Sequence, residues 1–216
     1  MSTFLFFHPW KLKHKKRDAR TRREKSVYLI VAEGTNKTET MYFSNFQGQG
    51  RDYRIIFVSA GHSTDAESLY LALSKKWKEL ELSAARGDKG FVVADGDNDK
   101  DKLDKIAKAL KKNKNDSIHF IVSNPGFEVW FLMHFGYSSK FFKDCDEVIG
   151  VLKKKVSKYD KNYDVYQEIS ELTDGAIANA KKLEDYFEGH SWPSVECNPR
   201  TDVWKLVDLL RNGDGY

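Results

Sequence analysis

The spacing of apolar positions changes several times along the chain, and each change marks an element. Residues 27–32 form an unbroken apolar run, as a strand buried on both faces requires. Asn36 with Glu39 three residues on reads as a capping box, and Tyr42 and Phe46 then recur at i, i+4. Residues 53–59 read as a second strand. Thr64 with Glu67 opens a helix whose stripe is Leu69, Ala72, Leu73, Trp77 and Leu80. A turn at 86–89 precedes a third strand, 90–95. Leu103, Ile106, Ala107 and Leu110 mark the next helix, and 118–122 a fourth strand. Strands alternating with helices predict a parallel sheet joined by right-handed crossovers.

After Asn124-Pro125 the strand pattern stops. Pro at the first helical position behind an Asn cap predicts a buried helix over 126–135. Helical patterns follow at 146–156, 164–187 and 201–210. The organisation is therefore an arm (1–26), an α/β core (27–125) and a helical region (126–216). No Pro/Gly/Ser linker separates the last two, so the helices are expected to pack on the sheet.

Composition narrows the class. With 216 residues, 40% hydrophobic and 13% aromatic, the chain can bury a core, which excludes wholesale disorder. Cys145 and Cys197 are its only cysteines, too few for a disulfide scaffold or a Cys-built zinc site, and they suit a reducing compartment. No apolar run nears the roughly 18 residues of a membrane span. Phe4-Leu5-Phe6-Phe7 is too short for a signal h-region, and the basic residues follow it. The expectation is a cytoplasmic protein with no membrane partner.

The net charge of +4 conceals an asymmetry. Residues 1–26 hold nine Lys/Arg against Asp18 and Glu24, a formal +7, so the other 190 residues sum to −3. Lys13, Lys15, Lys16, Arg17, Arg20, Arg22 and Arg23 make a basic arm of the kind that contacts nucleic-acid phosphates; a solubilising leader is the plainer alternative.

In an open parallel sheet, functional groups gather at the carboxyl edge. Two strands end there in acids: Ala32-Glu33-Gly34, and Ala94-Asp95-Gly96-Asp97-Asn98-Asp99. Two residues apart in an extended segment, Asp95 and Asp97 are expected to point the same way. Gly34 and Gly96 permit tight turns beside them. Carboxylates converging at one edge repel, and oxygen ligands with few imidazoles indicate Mg²⁺ or Mn²⁺. An Asp-rich loop is also, more plainly, a solvated turn. Glu128, in the first turn of its helix, is either a dipole partner or a further metal or water ligand. His134, on an apolar helix, reads as a hydrogen-bonded core histidine, with a general base as the alternative.

Strand-Glu33-Gly34 followed by strand-Asp95-Gly96-Asp97 resembles the Toprim signature. More specifically, Ile30-Val31-Ala32-Glu33-Gly34 with Thr38-Glu39 and Tyr42-Phe43 resembles the RloB (AbiLii-like) abortive-infection family. So do Ser123-Asn124-Pro125-Gly126-Phe127-Glu128-Val129-Trp130 with His134-Phe135, Tyr159-Asp160-Lys161, and Asn198-Pro199 with Thr201. The resemblance spans about residues 27–210. It implies a Toprim-like (Rossmann-like) α/β fold with a mostly parallel sheet, flanking helices and a C-terminal helical region. It also implies a Mg²⁺-dependent nuclease acting on DNA or RNA (including tRNA) in prokaryotic anti-phage defence, gated by an ATPase partner. Glu33 takes the place of the Toprim glutamate, as second-ion ligand or general base, and Asp95 and Asp97 that of its metal-binding aspartates. Asp99 and Glu128 are further candidate ligands. Lys161 would stabilise the reacting phosphate, and Arg200 would touch phosphate. The Glu33-to-Glu39 spacing is one residue longer than the family's, and Gly126 stands where a cysteine is common. The alternative function is a non-catalytic Toprim-like sensor or nucleic-acid-binding accessory subunit.

Overall fold

The computed structural model describes residues 25–33 and 37–213. The cations of the arm named above, Gly34 and the Asn36 cap lie outside the described residues. Five strands form one sheet in the order β2-β1-β3-β4-β5. They are β1 (Ser26–Val31), β2 (Tyr53–Val58), β3 (Lys89–Asp95), β4 (Ile118–Asn124) and β5 (Arg200–Thr201). The first four pair in parallel, and β5 runs antiparallel to β4 with Ser123 opposite Thr201. The chain is thus α/β with a five-stranded, mostly parallel sheet and a helical C-terminal region, a Rossmann-like arrangement.

Three helices belong to the crossovers: α1 (Lys37–Ser44), α2 (Ala66–Glu79) and α3 (Lys100–Lys112). Five more follow β4: α4 (Glu128–Met133), α5 (Cys145–Lys153), α6 (Tyr166–Ile169), α7 (Thr173–Tyr186) and α8 (Val203–Asn212). The apolar run of β1 is explained by burial on both faces. Val27, Leu29 and Val31 pack against Leu69 and Leu73 of α2 and Ile106 of α3. Tyr28 and Ile30 join the opposite core, which contains Tyr42, Phe43, Phe127, Trp130, Leu183 and Leu206. That second core runs continuously from the sheet into the C-terminal helices.

Several local expectations are corrected. Strands do not end at Pro125, because β5 returns to the sheet edge. Asn124 does not cap a helix: it is the last residue of β4, and α4 starts at Glu128 behind Phe127, which makes no capping bond. The Asn124 side chain instead accepts from the Asn98 N–H at 2.9 Å and donates to the Cys197 carbonyl at 3.2 Å. The cap of α2 is Asp65, which accepts from the Ser68 N–H at 2.9 Å, one residue beyond Thr64. The helix expected over 164–187 is interrupted by a 3₁₀ turn at Ser170–Leu172. Thr201 accepts from the Val203 N–H at the start of α8 and also bonds Ser123 across the sheet.

Candidate functional site

The carboxyl edges of β1 and β3 bring Glu33 and Asp95 together: the Asp95 N–H donates to Glu33 Oε1 at 3.0 Å. Beyond Asp95 the backbone leaves the extended region. Asp97 and Asn98 have φ of 53° and 54°. The segment from Asp95 to Asp97 is therefore a turn and not the extended run expected, although both carboxyls act on the Cys145 thiol. The turn is fixed by Asp97 N–H to the Pro125 carbonyl at 2.7 Å and by the Asn98 bond to Asn124. Gly96 is required there, since a Cβ would lie 2.6 Å from Leu103 and 2.8 Å from Asn124 Oδ1.

The carboxylates fall into two groups. On the α3 side, Lys102 places its ammonium 2.8 Å from Glu33 Oε2 and 2.6 Å from Asp97 Oδ2. Burial alone would lower the Lys102 pKa, but its bonds to Asp97 and Glu33 hold it above the ordinary lysine value. Glu33 is raised by burial, against the Lys102 contacts. An open cavity of about 600 Å³ borders this group, lined by Asp65, Asp99 and Asp101 as well as Glu33, Asp97 and Lys102. Asp99 itself caps α3, accepting from the Lys102 N–H at 2.8 Å.

On the α1/α4 side lie Asp95, Glu39 and Glu128, the last two buried at 8% and 4% exposure. Burial, reinforced by Glu128 and Glu33, pushes the Glu39 carboxyl up to about 7. Asp95 is raised well above the carboxylate range, by burial first and then by Glu39, Glu33 and Glu128. Asp95 Oδ1 is closed to solvent and has no hydrogen-bond partner among the described residues. Glu128 Oε1 accepts from the buried Tyr159 hydroxyl at 2.9 Å. Asp95 Oδ2 and Glu128 Oε2 both lie 3.4 Å from the point where a Cβ on Gly126 would sit. The absence of a side chain at Gly126 lets these two oxygens converge there, together with the Cys145 sulfur, 2.7 Å from the same point.

The candidate metal fits this second group. An orphaned carboxylate oxygen closed to solvent among mutually repelling acids would be relieved by a hard cation, and an all-oxygen donor set suits Mg²⁺ or Mn²⁺. Among the described residues no three His, Cys, Asp or Glu side chains stand as a preset ligand set. Asp95 and Glu128 would hold the ion with water completing its shell.

Lys161 exposes its side chain, while its carbonyl accepts from Thr38 Oγ1 at 2.9 Å and so fixes this segment to α1. Its charge lowers the Glu39 pKa slightly. Arg200 does not face a phosphate path. Its side chain, 8% exposed, bonds Glu184 Oε1 at 2.8 Å and lies 4.5 Å over the Trp192 ring. An internal ion pair replaces the expected contact, because β5 draws Arg200 into the sheet. His134 is the core histidine expected, with Nδ1 3.0 Å from the Trp130 carbonyl; burial lowers it to about 4.

The family model of RloB-like proteins matches residues 28–210. The chain belongs to the RloB-like family. Neither a curated relative nor a solved structure matches it. Among the described residues no helix of this RloB-like chain is long and apolar enough to cross a membrane. Sequence reasoning passed over Lys102 and the Tyr159–Glu128 bond. One signal does point to Lys102: it sits in the first turn of α3, where the helix dipole disfavours a cation, so a nearby anion is implied.

Proposed function

We propose that the chain is a divalent-cation-dependent nuclease, hydrolysing phosphodiesters of DNA or RNA. The observation that carries this reading is the half-buried Asp95 carboxyl, one oxygen of which is closed to solvent and unpartnered, beside the buried Glu39 and Glu128. Such concentrated, unpaired negative charge is costly for folding and is characteristic of a site built for a cation. When bound, Mg²⁺ or Mn²⁺ would neutralise charge on the scissile phosphate. Glu33 has both oxygens engaged, by the Asp95 N–H and by Lys102, which fits it to hold the β1 and β3 ends in register. Glu39, titrating at about 7, is matched to accept the proton of an attacking water near neutral pH. Lys161 and the basic arm would meet the strand's phosphates. The family resemblance supplies the wider setting of anti-phage defence and gating by an ATPase.

The test is incubation with plasmid, single-stranded DNA and tRNA in Mg²⁺ and Mn²⁺, with and without the product of the neighbouring gene. Cleavage by the wild type, lost in Glu33→Gln and in Asp95→Asn, supports the proposal. No cleavage of any substrate under any of these conditions favours the sensor alternative and overturns it.

A further inference from the structure

The two halves of the carboxylate cluster are not equivalent in charge. Glu33 and Asp97 share the Lys102 ammonium at 2.8 and 2.6 Å, and their remaining oxygens receive the Asp95 N–H and, at 3.5 Å, the Cys145 thiol. Every carboxylate oxygen in that half has a partner. Among the described residues no ammonium or guanidinium is ion-paired to Asp95, Glu39 or Glu128, and Asp95 Oδ1 has no partner at all.

Two-ion phosphoryl-transfer sites place their cations roughly 3.5–4 Å apart, one for the attacking and one for the leaving oxygen. Here a second divalent ion between Glu33 and Asp97 would have to displace the Lys102 head group. That side chain is only 19% exposed and is anchored by two charge-assisted bonds. We infer that this is a one-ion centre in which Lys102 is the built-in second cation: the metal belongs with the Asp95 and Glu128 carboxylates, and the ammonium permanently occupies the Glu33/Asp97 position. The inference rests on the cation reading above and deepens it. Lys102 is a positioning residue in this account. Its charge fixes Glu33 and Asp97, borders the open cavity where a phosphate would approach, and prevents a second ion from binding. An ordinary structural ion pair between β1 and α3 would also hold Glu33, but it would not set the number of metal ions.

Counting ions separates the two. Full-length protein without nucleic acid is titrated with Mn²⁺, with calorimetry giving stoichiometry and electron paramagnetic resonance giving free Mn²⁺. The wild type is expected to bind one ion per chain, and Lys102→Arg also one. Lys102→Met, which keeps the stem and removes the charge, is expected to bind two. Its added ion should bind at least about tenfold tighter than any second ion in the wild type, because no ammonium competes for the two carboxylates. Two ions in the wild type, or one in a Lys102→Met variant with native circular dichroism, overturns the inference and leaves the cation reading standing. If the Met variant does not fold, the wild-type count decides alone. No Mn²⁺ bound by any of the three chains overturns the cation reading and this inference with it.

Discussion

Replacing Glu39 by Gln tests the electrostatics of the site through folding alone. Glu39 is 8% exposed, and burial with Glu128 and Glu33 nearby raises its carboxyl from the ordinary 4.5 to about 7. That gap corresponds to about 3 kcal/mol. Below pH 4.5 the folded and unfolded states both keep the proton, and the group costs nothing. Between pH 4.5 and 7 the unfolded chain releases its proton while the folded chain retains it, so stability falls as pH rises. Above about pH 7 the loss is complete. Glutamine has no proton to release, and it also removes the largest charge acting on Asp95. Metal-free Glu39→Gln should therefore gain on the wild type steadily from pH 4.5 to 8, by up to about 3 kcal/mol. Urea unfolding followed by tryptophan fluorescence in EDTA, at half-unit pH intervals, measures the difference. A difference that is constant with pH, or that shrinks as pH rises, refutes the reasoning.

Three further outcomes follow from the geometry. Asp95→Asn should raise the metal-free melting temperature and remove the Mn²⁺-dependent increment that mass action predicts for the wild type; thermal shift with and without millimolar Mn²⁺ reads both. Arg200→Met should cost about 1.5–3 kcal/mol in urea unfolding, because the partly buried Glu184 then keeps only Lys205 as its cation. A folded Arg200→Met sample should still bind nucleic acid as the wild type does, and weakened binding would return Arg200 to the interface. Deleting residues 1–26 should flatten log K against log salt by about 0.7–0.9 for each phosphate that the arm meets, and an unchanged slope would make the arm a solubilising leader.

The parallel sheet was legible because burial on both faces leaves an unmistakable mark: β1 and β3 are apolar at almost every position. The carboxyl-edge acids were legible for a related reason, since Glu33 and Asp95 interrupt those runs at their ends. Harder to see was anything set by long-range closure. β5 is two residues long and exists only because Arg200 and Thr201 meet Asn124 and Ser123 across 76 and 78 positions of chain. The same closure turned Asn124 from an expected cap into the brace of the Asp97–Asn98 turn, and carried Arg200 inside. Lys102 was overlooked because it neighbours the apolar stripe of α3 at Leu103, where a lysine ordinarily snorkels to solvent.

The two ends of β3 treat their carboxylates differently, and the difference is what motivates the proposed cation. Asp88, just before the strand, is a fully buried carboxylate, 3% exposed. It accepts from the Val27 N–H at 2.8 Å and the Ser83 N–H at 2.9 Å, and pairs with Arg86 at 3.2 Å. Burial alone would raise its pKa, but these contacts outweigh that and hold it below the ordinary value. One strand thus has a carboxylate closed off at its entry and one with an oxygen closed off at its exit, and only the first is satisfied. Nothing about β3 prevents donors from being supplied, as Asp88 demonstrates. At the other end α1 and α4 instead contribute two more acids, Glu39 and Glu128, and the Tyr159 hydroxyl is directed to Glu128 and not to Asp95. A carboxylate kept short of partners by its own neighbours lowers stability wherever it is ionised. On the proposed reading a cation from solution would remove that cost, and it would draw on Glu128 from the helical region as much as on Asp95 from the sheet.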